Sequence, residues 1–360
     1  MMKALFWTSI LLVAYVYVGY PLLLALWARL VDRVPRKPAP ETIASWPSIS
    51  IVLAARNEAR RLRTRVENLL QIPYPGRREI IVVSDGSTDD PSAVLRDLGP
   101  QVTLIELPAG GKPMALNAGV DAASGDILVF ADARQRFSRE ALLEIVANFA
   151  DSRVGGVTGE LILDAESHAD ASTVGDGVGL YWTYEKWLRR NESRVWSTLG
   201  ATGAIYALRR AVWRPLPADT LLDDVLAPMR AVLAGWRVVY EERARAFDRA
   251  STDAAAESRR KVRTLAGNYQ ILAQDPRLLV PVVNPVWLQY VSHKIGRLLV
   301  PWALLAWFVA SATLLLDGWI YTTAFVVQAL FYGLAGYGGW TEYRSRRSEQ
   351  FAHTLGEVVR

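Results

Sequence analysis

The sequence predicts an α/β domain with a mixed, mainly parallel sheet, joined to one N-terminal and two C-terminal transmembrane helices. Three short apolar runs rich in Val and Ile, each bounded by Gly, Asp or Pro, are typical of buried parallel strands: Ile80–Ser84, Val102–Glu106 and Ile127–Phe130. Helix-like segments such as Pro113–Ala123 lie between them, which indicates a β-α-β-α-β unit. Three long stretches without charge lie outside this unit.

The uncharged stretches are each long enough to cross a bilayer: Ala4–Ala28, Leu298–Leu316 and Gly318–Trp340. A signal peptide is the alternative for the first stretch, but that stretch is long for one and no convincing cleavage site follows. Basic residues such as Arg29 and Arg33 follow the first stretch, and Arg344 follows the last. The positive-inside rule then predicts an external N-terminus, with the α/β domain and the C-terminus in the cytosol. We therefore expect a multi-pass protein of the cell (inner) membrane.

The predicted organisation follows from these boundaries. It comprises an N-terminal transmembrane helix with its basic flank (1–34), a proline-containing linker (35–47), the α/β domain (48–275), an interfacial segment broken by prolines (276–297), a transmembrane hairpin turning at Asp317-Gly318 (298–340) and a cytosolic tail (341–360).

Composition excludes several classes of function. There is no cysteine, so disulfides, thiolate catalysis and zinc–thiolate sites are excluded. The three histidines show no ligand spacing, and we interpret them as ordinary polar residues. Lys and Arg total 41 against 36 Asp and Glu, with the signs interspersed, so we expect no nucleic-acid partner. The basic residues instead suit the surface of a lipid bilayer.

Charged residues follow the predicted strands at the points where each strand ends. The carboxyl ends of parallel strands form the ligand crevice of an open α/β sheet. Here those ends carry Asp85, then Gly110-Gly111-Lys112, then Asp132. Carboxylate oxygens suit a hard cation, and an ammonium beside glycines can approach phosphate oxygens closely. The sequence therefore predicts a diphosphate site that holds a divalent cation, Mg²⁺ or Mn²⁺, with Asp132 as the metal ligand.

Four motifs in order resemble the nucleotide-sugar half of an inverting family 2 glycosyltransferase with a GT-A fold. They are Ala55-Arg56-Asn57-Glu58, Ser84-Asp85-Gly86-Ser87-Thr88-Asp89, Gly111-Lys112-Pro113-Met114-Ala115-Leu116-Asn117 and Asp132-Ala133-Arg134. The resemblance covers roughly residues 47 to 275. The flanking uncharged stretches fit its membrane-integrated branch, which includes enzymes like cellulose and hyaluronan synthases and ceramide glucosyltransferases.

The resemblance implies a set of donor-binding residues. The segment with Ala55, Asn57 and Glu58 cradles the nucleotide base, although Asn57 could instead cap the following helix. Asp85 contacts the uracil and ribose end of the donor, with a turn residue as the alternative. Asp89 is expected to cap the helix near Pro91. The remaining donor contacts, to the diphosphate, are implied for Lys112, Arg260 and Arg263, and a solvated basic face is the alternative for the two arginines.

Two positions depart from the family pattern. The second Asp of the family's Asp-x-Asp is Arg134 here, which leaves one carboxylate for the metal and a guanidinium that can meet phosphate directly. The Trp of the family's Arg-x-x-Arg-Trp is Thr264, which weakens any expectation of processive polymer synthesis.

The resemblance also implies an acceptor side. Asp223-Asp224 matches the family's acidic pair, which implies a catalytic role for both carboxylates, with Asp224 as the general base; helix capping, first of all by Asp223, is the alternative. Gly203 lies in a small-residue loop expected under the donor sugar and the acceptor. Tyr181 and Trp182 suit sugar stacking or a membrane interface, with core packing as the alternative.

These observations predict transfer of a hexose or N-acetylhexosamine from a nucleoside-diphosphate sugar, expected to be UDP-linked, to a polysaccharide acceptor at the membrane. A lipid acceptor of the ceramide kind is the first alternative, and a catalytically silent nucleotide-sugar sensor is the second. The expected partners are the donor, a glycan or lipid acceptor, the bilayer, and export or polymerisation proteins.

Overall fold

The computed structural model of the chain describes residues 1–164, 173–249 and 254–358. It confirms the predicted fold class, a mixed, mainly parallel α/β sheet together with one N-terminal and two C-terminal apolar helices. The chain divides into two compact units, one comprising Met1–Gly19 and Gly296–Arg360, and the other Tyr20–Ile295. The sheet lies entirely in the second unit.

Eight strands form the sheet within the described residues, in the order β3-β2-β1-β4-β7-β6-β8-β5. Their bounds are β1 Ile49–Ala55, β2 Arg78–Asp85, β3 Val102–Leu107, β4 Ile127–Asp132, β5 Arg136–Phe137, β6 Val154–Asp164, β7 Ile205–Arg209 and β8 Arg237–Arg249. β1 pairs in parallel with both β2 and β4, as the apolar runs predict. β7 is antiparallel to β4 and begins the second half of the sheet.

The helices of the second unit include those that link successive strands of the sheet, together with α2 before the first strand and α9 and α10 after the last. Their bounds are α2 Tyr20–Val31, α3 Ala59–Gln71, α4 Pro91–Leu95, α5 Lys112–Ala122, α6 Ala141–Ala147, α7 Thr173–Val195, α8 Asp223–Leu233, α9 Ala254–Gln274 and α10 Trp287–Tyr290. The predicted helix at Pro113–Ala123 therefore starts and ends one residue earlier. The long strand β8 pairs in parallel with β6, with register shifts between Val154 and Gly156 and between Thr158 and Glu160.

Side chains alternate between two cores on opposite faces of the sheet, as the period of a strand requires. On β1, Ile51 and Leu53 face one core, while Val52 faces the other. The second core includes a stack in which the Phe130 ring lies 4.5 Å from that of Tyr206 and 5.1 Å from that of Trp213. This stack fixes the end of β4 against β7, near the predicted crevice.

Three helical segments within the described residues are long and apolar enough to cross a membrane: Met2–Val31, Trp287–Thr313 and Trp319–Thr341. The helices of the first unit that contribute to these segments are α1 Met2–Ala14, α11 Gly296–Thr313 and α12 Trp319–Val358, and α12 extends beyond the apolar part. Gly318 makes the predicted turn with φ +143°, and an ion pair joins Lys3 to Asp317 at 2.9 Å.

Two predicted segments, the interfacial segment 276–297 and the tail 341–360, contain helical structure. A short 3-10 helix, Pro276–Leu279, and α10 both lie in the first segment, with Pro285 just before α10, where it removes no intrahelical hydrogen bond. The boundaries of both segments remain predictions. α12 continues to Val358, since charged side chains extend a helix readily once it leaves an apolar environment. The last two residues of the predicted tail lie outside the described residues.

A buried polar cluster joins α2, α7 and the short π-helix Val291–Ile295 that follows α10 in the second unit. The carboxylate of Glu192, fully buried, accepts a hydrogen bond from the Tyr20 hydroxyl at 3.0 Å, and its Oε1 lies 2.6 Å from Nδ1 of His293. His293 thus contacts a carboxylate, and no group of three or more His, Asp or Glu side chains able to hold a metal exists in the described part of the chain. His168, another predicted ordinary polar residue, lies outside the described residues.

Candidate active site

Asp85 lies at the end of β2, where the sequence places it, and its carboxylate is buried. Its Oδ1 accepts hydrogen bonds from the backbone N–H groups of Gly110 at 2.6 Å and Gly111 at 3.0 Å. Gly111 has φ +89°, which favours glycine. Asp85 therefore positions the glycine loop that leads into α5, a role that sequence reasoning missed. Its contact with the donor remains a prediction.

The loop after β1 is tied to the loop after β2. Asn57 adopts φ +54°, and its Oδ1 accepts a hydrogen bond from the backbone N–H of Thr88 at 2.9 Å. The backbone N–H of Asn57 donates to Ser87 Oγ at 3.1 Å. The alternative interpretation, that Asn57 caps α3, is therefore wrong. The side chain of Asn57 binds the loop after β2 instead. Glu58 occupies the cap position and pairs with Arg61 at 2.9 Å, and Ala55 is the buried last residue of β1.

The prediction that Asp89 caps the helix near Pro91 is wrong. Asp90 directly precedes Pro91, the first residue of α4, so it occupies the cap position, and its Oδ1 accepts from the backbone N–H of Ala93 at 3.1 Å. Asp89 instead accepts a hydrogen bond from the backbone N–H of Ala59 at 2.7 Å, at the start of α3. Both carboxylates serve helix starts, but of different helices.

Lys112 begins α5 and lies between two carboxylates. Its Nζ is 3.1 Å from Asp132 Oδ1, at the end of β4, and 3.3 Å from Asp223 Oδ2. Burial lowers the pKa of the ammonium, but the carboxylates of Asp223, Asp132 and Asp224 outweigh burial and raise the pKa above its ordinary value. Lys112 is therefore a cation at physiological pH, in contact with the predicted metal ligand.

Asp223 and Asp224 begin α8. The alternative interpretation, that Asp223 caps this helix, is wrong: α8 starts at Asp223 itself, so Leu222 occupies the cap position, and the buried Asp223 carboxylate faces Lys112 instead. The catalytic role of Asp223 remains a prediction. Asp224 Oδ2 accepts a hydrogen bond from the backbone N–H of Gly203 at 2.9 Å. Burial and the negative charge of Asp223 raise the pKa of Asp224 to about 6, against the opposing effect of Lys112. Such a carboxylate is suited to accept a proton near neutral pH.

Gly203 lies where two carboxylates converge. A Cβ atom at this position would come within 3.2 Å of Asp224 Oδ2 and 3.8 Å of Asp132 Oδ2. Tyr206 is fully buried nearby, and its hydroxyl has no hydrogen-bond partner among the described residues. Burial and the three aspartates raise its pKa well above the ordinary value, so it stays neutral. Sequence reasoning missed Tyr206; its place on β7, two residues into the strand after the Gly203 loop, was the available signal.

Other predicted site residues lie apart from this group. The guanidinium of Arg134 is more than half exposed, and its Nη2 is 3.7 Å from Asp248 Oδ2 on β8. Arg260 and Arg263 have exposed side chains on α9. On α7, Tyr181 is exposed and Trp182 is half-buried. The donor or acceptor roles of these five residues remain predictions.

The donor set at Asp132 decides what kind of metal site these residues could form. Asp132 supplies one carboxylate, and Lys112 already contacts its Oδ1. Mg²⁺ commonly binds through one or two carboxylates together with substrate phosphates and waters. The residues therefore fit a divalent cation that shares its ligands with a bound diphosphate, rather than one held by protein side chains alone.

Comparison with known proteins agrees with the sequence motifs. Residues 50–213 match the model of the family described as glycosyl transferase family 2. The chain is 31% identical over 130 residues to a beta-monoglucosyldiacylglycerol synthase of Nostoc sp., covering 34% of the chain and 28% of that relative. It is 23% identical over 238 residues to a poly-beta-1,6-N-acetyl-D-glucosamine synthase of Staphylococcus aureus, covering 63% of the chain and 56% of the relative. The chain thus spans about half the length of one relative and under a third of the other.

Among solved structures, a mannosyltransferase from Pyrobaculum calidifontis in complex with GDP-Man and Mn²⁺ resembles the chain over 95% of both proteins, with a TM-score of 0.70 and 22% sequence identity. At this identity the likeness establishes the fold alone. The solved structure thus supports the GT-A-like fold, and the family match extends over residues 50–213.

Proposed function

We propose that the chain is an inverting glycosyltransferase that moves a hexose or N-acetylhexosamine from a nucleoside-diphosphate sugar to an acceptor at the cytosolic face of the cell membrane. One observation carries the proposal: four charged side chains converge at the carboxyl ends of the strands, namely Lys112, Asp132, Asp223 and Asp224. The first two lie within the region that matches family 2 glycosyltransferases, residues 50–213, and the two others follow it. Carboxylates of two kinds, one for a diphosphate-bound cation and one for a base, are what this chemistry requires.

The chemistry assigned to Asp224 is general base catalysis. The acceptor hydroxyl attacks the anomeric carbon as its proton passes to Asp224, and the bond from that carbon to the diphosphate oxygen breaks. Attack from the face opposite the leaving group inverts the anomeric centre. The hydrogen bond from Gly203 N–H to Asp224 Oδ2 fixes the orientation of the carboxylate, so the other oxygen is available to the acceptor.

The departing diphosphate gains negative charge, and preorganised positive charge at that place lowers the barrier. Lys112 contacts the Asp132 carboxylate directly, and Arg260 and Arg263 are assigned to the same diphosphate. A divalent cation bound by Asp132 and the donor phosphates would supply further neutralisation. Arg134 contacts Asp248, so we assign the metal-dependent route and not a guanidinium replacement.

The identities of the donor and the acceptor form a separate part of the proposal. We propose a UDP-linked donor and a polysaccharide acceptor, and the polysaccharide synthase of Staphylococcus aureus supports the choice of acceptor. A lipid acceptor is the second candidate, supported by the glucosyldiacylglycerol synthase of Nostoc. The Pyrobaculum structure contains GDP-Man, so GDP-mannose belongs in any donor panel.

Product analysis tests the function. Purified full-length protein would be incubated with Mn²⁺ and labelled UDP-glucose, UDP-N-acetylglucosamine or GDP-mannose, in the presence of membrane lipids or oligosaccharides. We expect a labelled glycan or glycolipid whose new bond has the anomeric configuration opposite to the donor's. Tight donor binding without turnover by any combination would favour the sensor, and failure to bind any nucleotide sugar would refute the proposal.

A further inference from the structure

Lys112 is held in place by the loop that precedes it. The carboxylate of Asp85 binds the backbone N–H groups of Gly110 and Gly111, immediately before Lys112. Pro113 follows at the start of α5, where its fixed φ suits the first turn of a helix. The backbone at Lys112 is therefore fixed from both sides, and the ammonium has a defined place at the ends of the strands.

The Asp223 carboxylate depends on this ammonium. Asp223 is buried, and its Oδ2 has no hydrogen bond among the described residues. The ion-pair contact of that oxygen is with Lys112, at 3.3 Å. A buried carboxylate without a hydrogen bond is strongly destabilised unless a cation compensates its charge. Lys112 supplies that charge to Asp223 while it also contacts Asp132.

We propose that Lys112 is a resident counter-cation: it pairs with Asp132 and Asp223 in the free protein, offsets part of their negative charge and thereby weakens binding of the divalent cation until the diphosphate of a donor arrives. The inference rests on the proposed function, because it takes the donor to carry a diphosphate. Two cations compete for one carboxylate, and repulsion between a divalent ion and a fixed ammonium a few ångströms away disfavours binding of both. Phosphate oxygens attract the ammonium and also offer ligands to the metal, so donor and metal should bind together.

The test measures Mn²⁺ binding to purified protein without any nucleotide, from the paramagnetic resonance signal of free Mn²⁺. Lys112→Gln should bind one Mn²⁺ per chain at least about tenfold more tightly than the wild type, because the carboxylates lose their compensating charge. Lys112→Arg keeps the charge and should behave like the wild type. Lys186→Gln is the matched control, since Lys186 forms an ion pair of 2.8 Å with Glu160 instead.

A second measurement needs no variant. Binding of Mn²⁺ to the wild type, corrected for the complex of Mn²⁺ with free nucleotide, should tighten at least about tenfold when UDP or GDP saturates the protein. The inference is overturned if Lys112→Gln binds Mn²⁺ no more tightly than the wild type, or if the wild type binds Mn²⁺ equally well with and without nucleotide.

The outcomes separate this inference from the proposed function. Tighter Mn²⁺ binding by nucleotide-free Lys112→Gln would stand even if no donor and acceptor pair gave a product. Conversely, glycosyl transfer by the wild type together with unchanged Mn²⁺ binding in Lys112→Gln would keep the function and remove the counter-cation.

Discussion

Replacement of the proposed base by its amide, Asp224→Asn, tests the mechanism most directly. An amide oxygen can still accept the hydrogen bond that Gly203 N–H donates at 2.9 Å, so the local structure should survive. The amide cannot accept a proton from the acceptor. With a pKa of about 6, about nine-tenths of the Asp224 carboxylates in the wild type are ionised at pH 7 and able to act as a base. The substitution therefore removes almost the whole contribution of the base to the rate. We expect a rate loss on the order of 100-fold or more.

The pH dependence of the wild type gives an independent measure of the same group. A base acts in its deprotonated form, so the rate should fall as the pH drops through about 6 and should be level above it. The residual rate of Asp224→Asn should lack this step. Protonation of a surface carboxylate would give a step nearer pH 4, because such groups keep their ordinary pKa.

The assay is transfer of labelled sugar by purified protein, with donor binding measured separately by calorimetry. Donor affinity should persist in Asp224→Asn, since the base acts on the acceptor. Asp97→Asn is the matched control: Asp97 is an exposed carboxylate paired with Arg63, and its change should leave the rate unaltered. A folded Asp224→Asn protein with wild-type turnover would remove Asp224 from the mechanism.

Three further predictions follow from the site. Lys112→Ala and Arg263→Ala, measured by calorimetry in EDTA, should each weaken UDP or GDP binding by roughly 1.5–3 kcal/mol, and unchanged affinity in both would place the diphosphate elsewhere. Transfer should stop in EDTA and recover with Mn²⁺, and Arg134→Asp should retain this metal-dependent activity; full activity in EDTA would contradict the metal route. Cysteine in place of Asp317 should react with an impermeant thiol reagent from outside, whereas cysteine in place of Arg36 should not, and the reverse pattern would place the catalytic domain outside the cell.

Much of the sheet could be predicted because buried strands leave a local signal. The run predicted at Ile127–Phe130 is β4, and the observed strand extends it by two residues to Asp132. The strand ends at Asp132, where a polar residue follows the apolar run at the edge of the crevice. Local chemistry was sufficient here, since both the strand and its end are set by neighbouring residues.

Contacts between distant segments could not be predicted in the same way. Asp89 and Asp90 are adjacent and chemically identical, yet Asp90 caps its own helix and Asp89 the start of α3, which only the packing of two loops decides. The pairing of Lys112 with Asp223 likewise joins residues that are far apart in the chain. The sequence identified these residues as polar groups of one crevice but not which of them touch.

The register between β4 and β7 has a consequence for how such a protein can change. Ala131 pairs with Ile205 in that register, so Asp132 and the turn containing Gly203 are set by one ladder of backbone hydrogen bonds. The spacing between Asp132 and the Gly203 N–H group that binds Asp224 therefore depends on main-chain geometry that most side-chain substitutions leave intact. Exchange of the loop after β1 or of the exposed face of α7 could then alter which sugar or acceptor is used while the reaction itself is inherited unchanged.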